Sequence, residues 1–287
     1  MIKRIISVSL LKNKVEFRKI DGLKIGFNVE QSFDSEPNSC ELQIWNLSDD
    51  TISLFKDPST EISIKAGYEG QTTELVFWGN AVEIDTYFQG PDKITTFRGK
   101  DGGEQLAKTR VKFSSLGQTD LKTLVTKIVS SMKGIAFNSD QSNKLLPAAI
   151  AASEAKSSNK KKTRRRSRLN NLSRSVTQGT AREILDDILR PLEINYFINF
   201  GVFNIFLPKE TPTELVSINK DSGILKQPER TEKTIRLSLI LNPKLYPGVF
   251  FSLQSLKVSG IYRVVYANHY GDNYSSPWIT EVEAVPL

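Results

Sequence analysis

The chain has 287 residues, of which 39% are apolar and 25% charged, a composition typical of folded domains rather than of a disordered chain. No apolar run approaches the roughly 20 residues that a membrane-spanning helix needs, and no cleavage site for secretion follows the short apolar patch near the N-terminus. The single cysteine, Cys40, excludes an intramolecular disulfide, so we expect the chain either to fold in a reducing compartment or to need no cross-links.

The net charge of +7 comes from one segment. Residues 156–174 hold nine of the 39 Lys and Arg residues and no acidic residue, which leaves 30 basic against 32 acidic side chains elsewhere. A nucleic-acid-coating protein usually spreads basic side chains over a folded face. The remainder of the chain is close to neutral, so the charge does not by itself indicate such a protein.

The first hundred residues predict about six or seven strands, because apolar and polar residues alternate in runs divided by turn residues. Asp21-Gly22 lies between two such runs and predicts a hairpin, since glycine tolerates the positive φ of a tight turn. Ser48, followed by Asp49 and Asp50, predicts the N-cap and first turn of one short helix.

The middle of the chain changes to helical periodicity. Leu121 to Met132 places its apolar residues on one helical face, and Gly134 is at the expected C-terminal cap. Thr180 and Glu183 predict a capping box for a second helix, which ends near Pro191, and a hairpin turning at residues 199–201 follows. Between the helices, residues 138–178 have little sustained pattern and include the basic run.

The last eighty residues again predict strands, so the order is β-rich, then α/β, then β-rich. This order predicts an α+β, mainly β fold with three domains: an N-terminal β domain, a closed barrel or a sandwich, over residues 1–107, an α/β domain over 108–210 with the basic loop 138–178, and a C-terminal β domain over 211–287. The resemblance described below implies that both β domains are barrels.

Catalytic constellations are absent from the sequence pattern. With His269 as the one histidine and Cys40 as the one cysteine, the chain cannot assemble a His/Cys zinc site, and no metal or cofactor is predicted. Ser275 or Ser276 near Asp272 and His269 lacks the strand–Gly-x-Ser-x-Gly–helix context of a hydrolase. The Gly-rich stretch around residue 101 lacks the Gly-Lys-Ser/Thr of a phosphate-binding loop, and Asp186-Asp187 is interpreted as a solvated pair. We therefore expect no enzyme.

The basic run supplies the one candidate interaction site. Its cations could neutralise phosphates, but no aromatic residue within 156–174 could stack on bases. The favoured interpretation is a solvated loop, which could dock on an acidic protein surface. The candidate residues are Lys160, Lys161, Lys162, Arg164, Arg165, Arg166 and Arg168.

Four stretches, in the same order along the chain, resemble baseplate hub proteins of contractile-tailed bacteriophages. They are Pro37-Asn38 with the strand that ends in Asn46-Leu47-Ser48, the helix "GTAREILDDIL" with its hairpin, "LNPKLYPG" over residues 241–248, and "HYGDNYSSPWITEVEA" over 269–284. The resemblance does not extend to residues 135–178.

The resemblance implies a structural protein of the virion tail baseplate, assembled in the host cytoplasm. Hubs of this family are homotrimers in which each chain contributes two tail-tube-like β-barrels, so that three chains match a six-fold tube to a three-fold spike. The implied partners are the tail tube, tail spike, tape-measure and baseplate wedge proteins, with DNA only as passing cargo through the central channel.

The sequence leaves two other hypotheses open. One is an enzyme acting on the cell wall, which would need paired carboxylates around a cleft, although no pair is favoured. The other is a nucleic-acid-binding protein acting through the loop 156–174. That hypothesis predicts retention on DNA that falls steeply as salt rises. The hub hypothesis predicts ring-shaped trimers and little retention on DNA.

Overall fold

The computed structural model describes residues 3–33, 37–114, 121–138, 143–148, 150–151, 176–207, 212, 214–275 and 277–287. The chain forms two compact units, one from residues 1–101 together with 211–287 and one from residues 102–210. The fold is α+β and mainly β, as the sequence predicts. Within the described ranges, no helix is both long enough and apolar enough to cross a membrane.

The strands of the first unit are β1 (Arg4–Lys12), β2 (Val15–Ile20), β3 (Ile25–Ser32), β4 (Ser39–Trp45), β5 (Glu61–Tyr68), β6 (Glu74–Gln89), β7 (Asp92–Lys100), β13 (Val216–Ile218), β14 (Ile224–Arg230), β15 (Ile235–Ile240), β16 (Phe250–Gln254), β17 (Ser259–Asp272) and β18 (Trp278–Pro286), with helix α1 (Asp49–Phe55). The second unit contains β8 (Arg110–Ser114), β9 (Ala136–Phe137), β10 (Val176–Thr180), β11 (Asn195–Asn199) and β12 (Val202–Phe206), with helices α2 (Gly103–Lys108), α3 (Leu121–Ser131) and α4 (Ala181–Leu189).

The thirteen strands of the first unit form one sheet in the order β14-β15-β18-β17-β3-β4-β7-β6-β5-β1-β2, and β16 pairs with both β17 and β13. Every pair is antiparallel except β13 with β16. The hairpin predicted at Asp21-Gly22 is wrong: β2 pairs with β1, while β3 pairs with β4 and β17. The turn lies instead at Asn13-Lys14, where both residues have positive φ, 53° and 65°.

Two separate hydrophobic cores lie inside this unit. The first core is built mainly from β1 to β7 and α1, and includes fully buried side chains such as Ile25, Ile44 and Ile64. The second core is built from β13 and β15 to β18, and includes Leu239, Phe251 and Val264. The predicted three-domain division stays a prediction, but its two β-rich segments each supply most of one core.

Helix α1 begins where the sequence predicts. Ser48 has extended backbone, and its Oγ accepts a hydrogen bond from the Thr51 backbone N–H at 3.4 Å. Asp49 and Asp50 place negative charge at the positive end of the helix. The helix buries Ile52 and Phe55, and the Phe55 ring stacks on Phe97 with 3.9 Å between centroids, which fixes the helix against the first core.

The second unit has its own core between helices and a small sheet. The predicted capping box of α4 is present: the Glu183 N–H donates to Thr180 Oγ1 and the Thr180 N–H donates to Glu183 Oε2. The predicted hairpin is also present, as β11 pairs with β12 through a turn in which Phe200 and Gly201 have positive φ. The apolar faces of α3 and α4 pack together with this hairpin around Phe203.

Candidate functional site: the junction between the two cores

Strand β17 joins the two cores. One side of it pairs with β18 from Tyr262 to Gly271. Along its other side, the first residues pair with β16 of the second core and residues 266–272 pair with β3 of the first core. A single continuous strand of 14 residues therefore belongs to both cores. We call the surroundings of this strand the junction: β17, the start of β18 and the segment 241–248.

The segment 241–248 places one side chain in each core. Leu241 is buried in the first core, although it follows a strand of the second, and Leu245 is buried in the second core. The segment is held to β18 because the Leu241 N–H donates to the Trp278 carbonyl and the Asn242 N–H donates to Thr280 Oγ1, at 3.0 and 2.9 Å. The Asn242 side chain accepts the Lys244 N–H and so closes its own turn.

Trp278 fills the end of the first core from the C-terminal part of the chain. It is 5% exposed and makes edge contacts with Phe27 and Tyr68, at centroid distances of 5.9 and 6.1 Å. The Arg4 guanidinium lies 5.4 Å from the centre of the indole ring and donates to the backbone carbonyls of Asp272, Ser275 and Pro277. The first strand of the chain is thereby attached to the last hairpin.

His269 lies on β17 and is fully buried. Its Nδ1 is 2.9 Å from Thr280 Oγ1, a hydroxyl that also accepts the Asn242 N–H, so the hydroxyl hydrogen is free to be donated to the ring. Burial lowers the pKa of His269 to about 4, and the Leu245 backbone opposes this only in part. His269 is therefore a neutral residue, buried away from solvent.

Asp272 closes the turn between β17 and β18. Its carboxylate accepts hydrogen bonds from the Tyr274 N–H and from both the N–H and the hydroxyl of Ser275. Burial raises the pKa of Asp272, but these hydrogen bonds and Lys24 outweigh it, so the pKa is lowered. His269 is bonded to Thr280 rather than to this carboxylate, so the arrangement is that of a structural turn.

Asn273 ties the same turn to the first core. Its side-chain oxygen accepts the Ile25 N–H at 2.9 Å, and its amide donates to the Leu23 carbonyl at 2.8 Å. These bonds cap the start of β3. We call the strands around each of the two cores a β-module. The final hairpin is therefore hydrogen-bonded to the first β-module by side chains as well as by the β17–β3 ladder.

The side of the sheet opposite the cores carries polar residues across both modules. Cross-strand partners on this face include Arg236 with Glu283, Asn268 with Glu30, and Arg98 with both Glu41 and Glu83. Arg98 forms ion pairs with Glu83 at 2.9 Å and with Glu41 at 3.6 Å. We call this surface the polar face. Its acidic side chains include Glu30, Glu41, Glu83, Asp85, Glu229, Asp272, Glu281 and Glu283, and its basic side chains include Arg98, Lys100, Lys226 and Arg236.

The other candidate positions of the sequence do not meet in a cleft. The basic side chains from Lys160 to Arg168 lie outside the described residues. Asp186 accepts hydrogen bonds from the Tyr196 hydroxyl at 2.9 Å and from Arg190, which makes it a packing residue of α4. Gly102 has φ of 36° and precedes α2, as expected of a turn. The part of the chain that the structure describes holds no group of three or more His, Cys, Asp or Glu side chains suited to a metal.

The sequence does not identify the junction as a site, although two of the stretches that carry the resemblance, "LNPKLYPG" and "HYGDNYSSPW", belong to it. In the structure they meet at Thr280, which contacts both Asn242 and His269. Both segments, 241–248 and 269–278, combine turn-forming Asn, Asp, Pro and Gly with buried side chains, and this combination is the one sign of the junction in the sequence. Nothing in either segment alone identifies its partner.

Comparison with solved structures places this fold among phage tail proteins. No protein-family model matches the chain, and no curated protein matches it in sequence. A tail protein from Neisseria meningitidis is similar with a TM-score of 0.60 at 8% identity, covering 98% of this chain and 96% of that one. The 43 kDa tail protein of prophage MuSo2 from Shewanella oneidensis has a TM-score of 0.56 at 9% identity, covering 98% of each chain.

A third similar structure belongs to a secretion machine. A component of the E. coli type VI secretion system, described as structurally similar to tail proteins of bacteriophage T4, has a TM-score of 0.50 at 9% identity. The match covers 92% of this chain and 73% of that one. Because the first two matches extend over nearly the whole of both chains, this chain has the overall fold of those two tail proteins.

Proposed function

We propose that the protein is the structural hub of a bacteriophage tail baseplate, a homotrimer that joins the six-fold tail tube to the three-fold spike around a DNA channel. The observation that carries the proposal is the junction: two β-cores in one chain share the continuous strand β17. Three copies of such a chain present six β-modules, and a closed ring can then match three-fold and six-fold neighbours.

The charge of the polar face is consistent with the DNA channel that we propose. Its acidic side chains occur on strands of both modules, so the surface is continuous across the junction. Acidic side chains outnumber basic ones on this face, so a ring with the face inward would present an excess of negative charge to the phosphates of passing DNA, and like charges repel. DNA would then pass as cargo without being retained. The partners proposed with this arrangement are the tail spike, tail tube, tape-measure and wedge proteins of a contractile tail in the virion.

Mass determination by light scattering tests the proposal. The purified chain is measured alone and mixed with candidate tail tube and spike proteins, and we expect a species that contains three copies of the 32.3 kDa chain in at least one sample. Electron microscopy of that species should show a ring. A strictly monomeric mass in every mixture would refute the proposal.

A deletion variant separates this function from nucleic-acid binding. Removing residues 156–174 takes out nine positive charges. The segment is not part of any element of the junction. The hub proposal expects the trimer to form without this segment. Retention on DNA that weakens steeply with salt in the full chain, and that is lost in the variant together with biological activity while the trimer still forms, would favour the nucleic-acid hypothesis.

A further inference from the structure

The two β-modules repeat one arrangement of strands. Strands β3 to β7 of the first module and β14 to β18 of the second pair in the same way: first with second, second with fifth, third with fourth and fourth with fifth. The ladder between the fourth and fifth strands skips one residue in both modules, Val82 in β6 and Val265 in β17. The ladder with the third strand ends two residues earlier in both, at Asn80 and Arg263. β6 is therefore the equivalent of β17, and β14 is the equivalent of β3.

The equivalent strands β6 and β17 differ in what lies along their outer edge. Beyond the skipped residue, residues 266–272 of β17 pair with β3. The matching half of β6, from residue 83 to 89, has β7 as its only strand partner in the described part of the chain. Tyr87 and Phe88, on opposite faces of this half, are 46% and 73% exposed, whereas His269 at a matching place on β17 is fully buried. The outer edge of β6 is therefore uncovered.

Strand β14 has an uncovered edge of the same kind. Its only strand partner in the described ranges is β15, although its equivalent β3 pairs on both sides. Within the residues that the structure describes, neither residues 82–89 nor residues 224–230 make a backbone–backbone hydrogen bond outside these ladders. Pro228 removes one donor from β14, and the other residues of the strand keep theirs. Unpaired N–H and C=O groups along the edge of a sheet are a template for another strand.

We propose that β6 of one copy of the chain pairs with β14 of a second copy, as β17 pairs with β3 within one copy. The inference rests on the proposed trimer and names the contact that closes its ring. Each copy uses its β6 edge once and its β14 edge once, which is the head-to-tail contact that a closed ring needs. The ring then contains two kinds of junction, within and between copies, and both have the same strand pairing.

The directions of the strands agree with this contact. From β14 to β6 the sheet contains eight strands, and each is antiparallel to the next. Copies related by rotation about the ring axis have their β14 strands in the same direction, so an even number of strands brings β6 of one copy antiparallel to β14 of the next. The same count to β2, at the end of the sheet, gives eleven and would bring β2 parallel to β14. Because β17 and β3 are antiparallel, the repeat selects β6 rather than β2.

The equivalence of the modules also specifies the register. Tyr270 of β17 lies opposite Asn28 of β3. Tyr87 has the position of Tyr270 in the first module, because each lies five residues after the skipped valine. Glu229 has the position of Asn28, counted across the ladders with β15 and with β4. We therefore expect Tyr87 of one copy to lie opposite Glu229 of the next.

Cross-linking in the assembled species tests this register. Tyr87→Cys and Glu229→Cys are combined in one chain and treated with a short bis-maleimide linker. Both positions are exposed, and six strands separate them within one copy, so the linker joins them only between copies. Native Cys40 is buried and burial raises the pKa of its thiol, so it should not react. The matched control replaces Tyr87→Cys by Glu16→Cys, an exposed position on β2.

We expect two-copy and three-copy bands from the Tyr87/Glu229 variant and none from the control. In parallel, Phe88→Asp should weaken trimer assembly at least ~10-fold, because it puts a charge where the neighbouring strand would cover an aromatic ring. Phe17→Asp, at an exposed aromatic residue of β2, should leave trimer assembly unchanged.

Trimers that give no cross-link between the Tyr87 and Glu229 positions, or that form equally well with Phe88→Asp, would overturn this inference and leave the hub proposal standing. Bands from the β2 control alone would also overturn it, because they would place β2 at the contact. Absence of a trimer in every sample would refute the hub proposal itself, and this contact with it.

Discussion

The buried histidine of the junction should make the fold sensitive to mild acid. In the unfolded chain His269 has a pKa near 6.5 and in the fold about 4, so between these values the unfolded state binds a proton that the folded state does not. The stabilising effect of this difference is complete above pH 6.5 and is lost as the pH falls toward 4. From pH 7.5 to 5.0 the loss amounts to about 2 kcal/mol of unfolding free energy.

The assay compares the wild type with His269→Asn, which keeps a polar group where Nδ1 contacts Thr280. Urea unfolding is followed by circular dichroism at pH 7.5 and 5.0. Carboxylates titrate similarly in both proteins, so the difference between their pH responses isolates the histidine. We expect the wild type to lose about 2 kcal/mol more than the variant over this range. Equal losses in the two proteins would show that His269 is not held neutral by burial.

Three further changes test the junction, the second unit and the close packing of the sheet by urea unfolding. Trp278→Ala should cost about 3–5 kcal/mol because it empties the end of the first core, whereas the partly exposed Trp45→Ala should cost clearly less; similar costs would contradict the packing described. Thr180→Ala should destabilise the second unit by about 1 kcal/mol through loss of the capping box, and an unchanged midpoint would exclude that role. Gly79→Ala should cost about 1–3 kcal/mol because the new methyl group would overlap the Lys100 carbonyl, and a neutral result would mean that β6 can move away from β7.

Local features were predictable where one short segment contains the whole interaction. The Ser48 cap and the Thr180–Glu183 capping box each join residues three positions apart, and both are present. The hairpin that turns at Gly201 is equally local. In these cases the donor, the acceptor and the special backbone conformation all lie within one turn, so the residue types specify the geometry.

Pairing between distant segments was not predictable from the same information. Asp21-Gly22 has the composition of a hairpin turn, yet the hairpin forms at Asn13-Lys14. Both edges of β3 are occupied, by β4 and by β17, so no edge of β3 is left for β2 to pair with. Alternation of apolar residues shows which face of a strand is buried but not which strand lies beside it. The junction depends on contacts more than 200 residues apart, such as Arg4 with Asp272, and so could be found only in the structure.

The continuity of β17 would make the two cores of one chain a rigid unit, as the proposed adaptor requires. Domains joined by a flexible linker usually move relative to each other. Here, bending the modules apart would break the ladder of β17 with β3 or with β16, and would pull Leu241 and Trp278 out of the first core. Such movement carries a cost in buried apolar area and in hydrogen bonds that a linker would not impose. In the proposed ring, neighbouring positions must have a fixed spacing and angle, and a shared strand sets both within one polypeptide.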